Sequence, residues 1–153
     1  MSDEYVDPKR LLIPGLAGFY QTGSNIAYAF MRFATGAVLV PHGIVKLMAM
    51  SPGTYANTIG QHGLPAPMLL SWLMILTESF GAAFLAIGLF TRFCAAAIWI
   101  EMAVIIVLFQ WQFGYFWTNR GIEYALLWLL LCTAILFRGG GRYSVDHYMG
   151  REL

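Results

Sequence analysis

The sequence predicts an all-α membrane protein, a polytopic bundle of four transmembrane helices with both termini in the cytoplasm. Two features of the composition predict this class, since 59% of the residues are hydrophobic and only 11% are charged. A soluble domain usually carries about 25% charged residues. The third observation is that the apolar residues fall into four long runs. The few basic residues are scattered, which argues against a nucleic-acid partner.

Each of these runs is long enough to cross a bilayer as a helix, which takes about 17–25 apolar residues. They cover residues 26–48, 68–90, 93–113 and 121–137. Helices are expected because the runs do not alternate as barrel strands do, and because lipid cannot pair a free backbone N–H or C=O. We therefore predict a polar and membrane-surface segment over residues 1–25, a four-helix domain over 26–137 and a cytoplasmic tail over 138–153.

The connecting segments predict how the helices are arranged. Only about Thr91 and Arg92 separate the second and third spans, so these spans should form a tight antiparallel hairpin. A Ser-Pro start predicts a short helix over residues 52–61 at the membrane surface. The glycines at 139–141 should end the fourth helix, and Ser144 should cap a last short turn.

The distribution of lysine and arginine predicts the orientation, because cytoplasmic flanks are enriched in these residues. If the N-terminus lies inside, the outer flanks hold only Lys46 and Arg120. The inner flanks then hold Lys9, Arg10, Arg92, Arg138, Arg142 and Arg151. The first ten residues lack the basic region and apolar stretch of a signal peptide, so the first span is expected to remain in the mature protein.

Ionisable residues inside the predicted spans are the candidates for function, because a charge near the bilayer centre costs at least about 2.5–3.5 kcal/mol. Arg32 and Glu101 lie roughly 9 and 12 Å from the inner ends of their spans, at about 1.5 Å per residue. This matching depth predicts a structural ion pair between them. Glu78, near the middle of the second span, is the alternative partner of Arg32.

A second polar layer is expected toward the outer side. His42 and Lys46 are four residues apart and share a helix face, and we interpret them as ligand-binding residues. Glu78 and Glu123 are the candidate catalytic acids, because intramembrane ionisable residues are functional by default. The alternative is that these charges only pair and fix helix register. Glu123 is also explained as a first-turn acid favoured by the helix dipole.

The two cysteines predict no metal centre. Cys94 and Cys132 lie in apolar runs without CxxC or metal-ligand spacing, so no metal site is predicted. They are expected to be small buried hydrophobes. A redox role is the less favoured alternative, since neither has an obvious activating neighbour.

Several short motifs follow one another along residues 28–153. They are Arg32, LVPHGIVKLM, Glu78, IGLFTR, Glu101-Met102, GIEYALLW and RGGGRYSVDHYMGREL. In this order and spacing the chain resembles the DoxX family of small four-helix membrane proteins. Members are described as subunits of quinol oxidases or thiosulfate:quinone oxidoreductases, or as partners in membrane redox complexes. The resemblance implies a multi-pass protein of the bacterial cytoplasmic (inner) membrane.

The leading hypothesis is a quinone-linked accessory subunit of a membrane oxidoreductase complex. Lys46 and His42 would donate hydrogen bonds to a quinone carbonyl, and Glu78 or Glu123 would carry the coupled proton. The sequence has no haem, iron–sulfur or flavin motif, so no intrinsic cofactor is expected and a redox partner protein would supply the electrons. The alternatives are a non-catalytic scaffold or assembly subunit, a role that would allow an oligomer, and a small proton-coupled transporter.

Overall fold

A computed structural model of the chain describes residues 6–48 and 51–151, which are helical apart from short connections. The α-helices of this part are α1 (Ala17–Met48), α2 (Pro52–Gln61), α3 (Pro67–Leu76), α4 (Ala82–Ile87), α5 (Thr91–Val104), α6 (Glu123–Arg138) and α7 (Val145–Met149). A first π-helical segment, Thr77–Gly81, joins α3 to α4, and a second, Ile105–Gln110, continues α5. The predicted all-α class is confirmed.

Three helices in the described part of the chain are long and apolar enough to cross a membrane. They are Pro14–Met48, Pro67–Ile87 and Thr91–Phe113, and they coincide with the first three predicted spans. The fourth predicted span corresponds to α6, which has 16 residues and is therefore about 24 Å long. That length is less than the roughly 30 Å of a bilayer's hydrocarbon core.

The helix α1 begins earlier than the sequence predicted. It starts at Ala17 and has 32 residues, whereas the prediction began the first span at residue 26 and put the preceding residues at the surface. Gly18 and Gly23 lie inside the helix in open space. A helix tolerates such glycines at a cost of about 1 kcal/mol each relative to alanine, so they did not break it. Pro14 stands just before the helix, where a proline does not interrupt the helical hydrogen bonds.

The short elements follow the predictions closely. The helix α2 covers the predicted residues, and the Ser71 hydroxyl ties it to α3 by donating to the Pro52 carbonyl at 2.7 Å. The hairpin between α4 and α5 is confirmed, with Gly88 in the left-handed region at a φ of 74°. Gly139 ends α6. Ser144 caps α7, because its hydroxyl accepts from the His147 N–H at 3.1 Å.

The helices of the bundle pack closely where α1 crosses the α3–α4 helix. A Cβ atom on Gly36 would collide with the Ala82 carbonyl oxygen and lie 2.6 Å from the Ala86 nitrogen. A hydrophobic core of buried side chains fills the space between α1, α4, α5 and α6. Its largest fully buried members are Leu85, Ile98 and Ile135.

The close packing at Gly36 gives a testable prediction. We expect Gly36→Ala to lower the thermal stability of the protein in detergent by roughly 1–3 kcal/mol, because the added methyl group would push the two backbones apart. The matched control is Gly23→Ala in the same helix, where nothing lies within 4 Å of the added atom. That variant should be neutral or stabilised, since alanine is the better helix former. Equal losses in both variants would contradict the prediction.

Candidate functional site

The centre of the candidate site is an ion pair between α1 and the first π-helical segment. The Lys46 Nζ atom donates to the Glu78 Oε1 atom at 2.5 Å, and the two side chains are only 16% and 4% exposed. On its other side, the Lys46 ammonium lies over the Tyr55 ring of α2, 5.4 Å from the ring centroid. Sequence analysis placed Lys46 in the outer layer and left Glu78 between the two layers, and it did not predict that they pair.

Local backbone geometry brings these two residues together. Gly43 precedes Lys46 by about one turn, and a Cβ atom there would lie 2.6 Å from the Glu78 carbonyl carbon. Only glycine allows α1 to approach the π-helical segment so closely. A π-helical turn contains an extra residue, which rotates the side chains after it relative to a regular α-helix. Such turns are frequent at functional sites, and this one carries Glu78.

Glu101 of α5 joins this pair. Its carboxyl group is an electrostatic neighbour of both Glu78 and Lys46. Its two oxygen atoms and the Glu78 Oε2 atom are buried and accept no hydrogen bond from an N–H group or hydroxyl of the described residues, and the two carboxyl groups lie within hydrogen-bonding reach of each other. We call these three residues the acid–lysine cluster. With one ammonium and two carboxyl groups, the cluster is electrically neutral only when the two acids together hold one proton.

An apolar cavity of about 290 Å³ lies beside the acid–lysine cluster, between α2, α3 and α5. Glu101 is the one charged residue among those that line it. The others include Ile59 and Leu64 from α2 and the loop after it, Leu73 and Thr77 from the second long helix, and Ala97, Ile100 and Phe109 from the third. At one edge the His62 ring lies 4.3 Å from the Phe109 ring, measured between centroids.

The predicted ion pair between Arg32 and Glu101 is not formed. The Arg32 guanidinium instead donates to the carbonyl oxygens of Gly140, of Tyr143 at 2.8 Å and of Ala86 at 3.5 Å. The alternative pairing with Glu78 is also absent, because Glu78 holds Lys46. Arg32 contacts the chain near Ala86, eight residues or about 12 Å along the helix from Glu78. The depth argument failed because it took residue 26 as level with the inner ends of the other helices, whereas Arg32 itself lies level with the turn at Gly88 that joins α4 to α5.

His42 and Glu123 lie outside the acid–lysine cluster. His42 is exposed on α1, and its ring meets the Trp128 ring of α6 at 6.5 Å, whereas Lys46 faces the α3–α4 helix. The Glu123 carboxylate accepts from the Trp117 N–H at 3.1 Å and so closes the loop before α6. The shared helix face predicted for His42 and Lys46 therefore does not place them in one site.

Asp146 is a buried residue of the tail that sequence analysis did not single out as a site residue. Only 2% of it is exposed, and its carboxylate accepts from the N–H groups of Phe90 and Thr91, each at 2.8 Å. It thereby caps the N-terminus of α5 from a distant part of the chain. The signal that could have revealed this cap is Phe90, which stands just before α5 and has no side chain that can cap the helix.

Arginines at the same end of the bundle also bind helix ends. Arg92 donates to the carbonyl oxygens of Leu136 at 2.6 Å and Phe137 at 3.0 Å, the last turn of α6. The Arg138 guanidinium lies 3.9 Å from the centroid of the Tyr28 ring. Cations stabilise a helix C-terminus because unpaired carbonyl groups give it a partial negative charge. This end of the bundle is therefore held by interactions between cations and backbone.

Known proteins that are similar to this chain point to one family. A family model described as DoxX matches residues 27–111, more than half of the chain. The chain belongs to the DoxX family. A protein of Haemophilus influenzae described as "Uncharacterized protein" is 32% identical over 123 residues, which cover 78% of this chain and 87% of that protein. No solved structure gives a significant match.

The part of this DoxX chain that matches the family model contains the whole acid–lysine cluster. Lys46, Glu78 and Glu101 fall within residues 27–111, as do all residues that line the apolar cavity. Glu123 and the tail with Asp146 fall outside the match. The candidate site thus lies in the portion of the chain by which the family is identified.

The cap supplied by Asp146 gives a second prediction. We expect Asp146→Ala to lower the thermal stability in detergent by at least about 1.5 kcal/mol, because two buried N–H groups would lose a charged acceptor. The control is Asp7→Ala, at an exposed position whose carboxylate contacts its neighbours Lys9 and Arg10. A loss no larger than that of Asp7→Ala would show that the cap contributes little.

Proposed function

We propose that this DoxX-family protein is a quinone-linked accessory subunit of a membrane oxidoreductase complex. The observation that carries the proposal is the acid–lysine cluster, buried within candidate transmembrane helices and adjacent to an apolar cavity of about 290 Å³. Buried ionisable groups in membrane helices are costly and mark proton or ligand sites. A lipid-soluble molecule would enter such a cavity from the bilayer.

The residues present fit a quinone. When bound, a quinone supplies chemistry that takes up or releases two electrons and two protons. The apolar lining of the cavity suits the ring, and Glu101 offers a hydrogen-bonding group at its wall. Lys46 holds Glu78, so the two acids can keep one proton between them and leave no net charge in the membrane. Lys46 thereby acts on the acids, instead of donating to a ligand as the sequence predicted.

The electrons are assigned to a partner protein. The sequence has no haem, iron–sulfur or flavin motif, so this chain would supply the ligand cavity and the proton site while another subunit supplies the electron carrier. This division of labour is what makes the proposed role that of an accessory subunit.

We also propose that α6 crosses the membrane with the three longer helices, so that both termini lie in the cytoplasm of a bacterial cell. Arg92 and Arg138 lie at the end of the bundle where the tail folds back, and Arg120 precedes α6 at its other end. More basic residues at one end support a cytoplasmic location for that end. A helix about 6 Å shorter than the hydrocarbon core can be accommodated by local thinning of the bilayer.

Cysteine labelling tests this topology. Cys94 and Cys132 are buried and would be replaced by alanine. Single cysteines would then be introduced by Asn119→Cys and Tyr148→Cys, both at exposed positions. In bacterial spheroplasts, a membrane-impermeant maleimide should label the first variant directly and the second only after the membrane is permeabilised. Labelling of both from outside would contradict a crossing by α6, and the reverse pattern would contradict the orientation.

A scaffold without a ligand is the second candidate function. It is favoured by the Lys46–Glu78 ion pair. Both partners of this pair belong to the protein, so fixing the register of the helices is a sufficient role for it. Glu101 counts against it, since Glu78 alone satisfies Lys46 and a purely structural pair does not need a second buried acid at the wall of a cavity.

Mild purification from native membranes separates the two functions. Mass spectrometry would measure every protein and lipid that accompanies the chain, with an unrelated membrane protein of similar size as the control for background quinone. The proposal expects a quinone near equal molar amount and a redox-active partner protein. Recovery of the chain with ordinary lipids alone, and quinone at the control level, would reject it in favour of the scaffold.

A further inference from the structure

We propose that the apolar cavity beside Glu101 is the binding site for the hydroxyl-bearing ring of a lipid-soluble quinol, and that Glu101 is the residue that accepts its hydrogen bond. The inference rests on the proposed function and deepens it, since it assigns the ligand to one cavity and one side chain. Sequence analysis placed the ligand at His42 and Lys46 and gave Glu101 a structural role.

The first support is the chemistry of the cavity wall. Its lining is apolar except for Thr77 and Glu101, so a ligand would find one strong acceptor in otherwise hydrocarbon-like surroundings. Ligand sites typically combine a mostly apolar lining with a few polar groups that set orientation. The volume of about 290 Å³ lies at the lower end of the range of roughly 300–1,000 Å³ for such sites. It suits a ring with the start of its tail, and not a whole lipid.

The second support is the state of the Glu101 carboxyl group. Both oxygen atoms are buried, and the group that reaches them in the described residues is the Glu78 carboxyl group, through the proton that the two acids share. Acceptor positions on the Glu101 oxygens remain unused, and an unused buried acceptor indicates a place for a further partner. Glu78 differs, because its Oε1 atom is held by Lys46 at 2.5 Å. Glu101 can therefore accept a hydrogen bond from a quinol hydroxyl in the cavity while its carboxyl group stays beside Glu78.

The third support is how the cavity is enclosed. Both π-helical segments reach it, the first through Thr77 and the second through Ile105 and Phe109. Each interrupts the regular packing of a long helix beside the cavity. The helix α2 lies in the segment that connects α1 to α3 and covers one side of the cavity, where its Ile59 side chain is buried against α3. Polar anchors hold α2 there, among them the hydrogen bond between Ser71 and Pro52.

The charge of the cluster favours a neutral donor over a lipophilic cation. Lys46 already places one ammonium group at the acids and is an electrostatic neighbour of Glu101. With one proton shared by the two acids the cluster has no net charge, so it does not attract a cationic ligand, whereas a hydroxyl group needs only an oxygen acceptor. The cationic alternative belongs to the transporter hypothesis and is tested below.

Binding of decylubiquinol to the full-length protein in lipid nanodiscs tests the inference. The amount bound would be measured by equilibrium dialysis under anaerobic conditions, so that no enzymatic activity is needed. Glu101→Leu should weaken binding roughly tenfold, because leucine has no oxygen atom to accept the hydrogen bond of the quinol hydroxyl. Its similar size should preserve the fold, which the thermal unfolding midpoint would check.

A second variant blocks the cavity without changing charge. Ala97 lines the cavity, so Ala97→Phe should fill it and also lower the affinity for decylubiquinol at least tenfold. The matched control is Ala27→Phe, the same substitution at an exposed position of α1, which should bind as the unmodified protein does. Loss of binding in both cavity variants and not in the control supports the inference.

Other outcomes overturn it in distinguishable ways. If the unmodified protein binds decylubiquinol and both cavity variants bind it equally well, the quinol site lies elsewhere and the proposed function survives. If the unmodified protein binds none, the proposed function fails together with the inference. If it binds tetraphenylphosphonium in a way that depends on Glu101 but does not bind decylubiquinol, the cavity is a cation site.

Discussion

Helices in a bilayer gain little by burying apolar side chains against one another, because the surrounding lipid tails are equally apolar. Close backbone contact supplies the attraction instead, and here it is made by α1 against the helix that runs from α3 through α4. Gly36 lies against Ala82 and Ala86, and Gly43, two turns later, lies against Ser79. The two glycines set the separation of the helices along one face.

The positions of the buried charges depend on that contact. With the backbones this close, Lys46 stands one turn beyond Gly43 and reaches Glu78 directly. Arg32, 14 residues before Lys46 and about 21 Å away along α1, donates to carbonyl oxygens. The bundle thus keeps its buried arginine among backbone acceptors at one end and leaves two acids with a single lysine farther along. The second acid has no lysine of its own and is therefore the group available to bind a proton or a ligand.

Sequence patterns predicted the elements better than they predicted the partners of the charges. Apolar runs, the glycines after α6 and the short turn at Thr91 are local signals, and the structure confirms the helices and the hairpin that they indicated. Charge pairing is not local. Depth counted along the chain gave Arg32 the wrong partner, because it depended on which residue of α1 is level with the ends of the other helices and took no account of which way a side chain faces. The π-helical turn at Glu78 also altered side-chain direction in a way that residue spacing does not reveal.

The cap that Asp146 places on α5 has a consequence for the order of events during synthesis. The first N–H groups of α5 lie in the middle of the chain, yet their acceptor comes after α6. The same late segment carries the carbonyl groups that receive Arg32. A nascent chain can insert its first helices while these donors still face water. It completes their hydrogen bonds only after residues 140–146 have left the ribosome, so a chain that stops before this segment keeps one end of the bundle open to quality-control proteases.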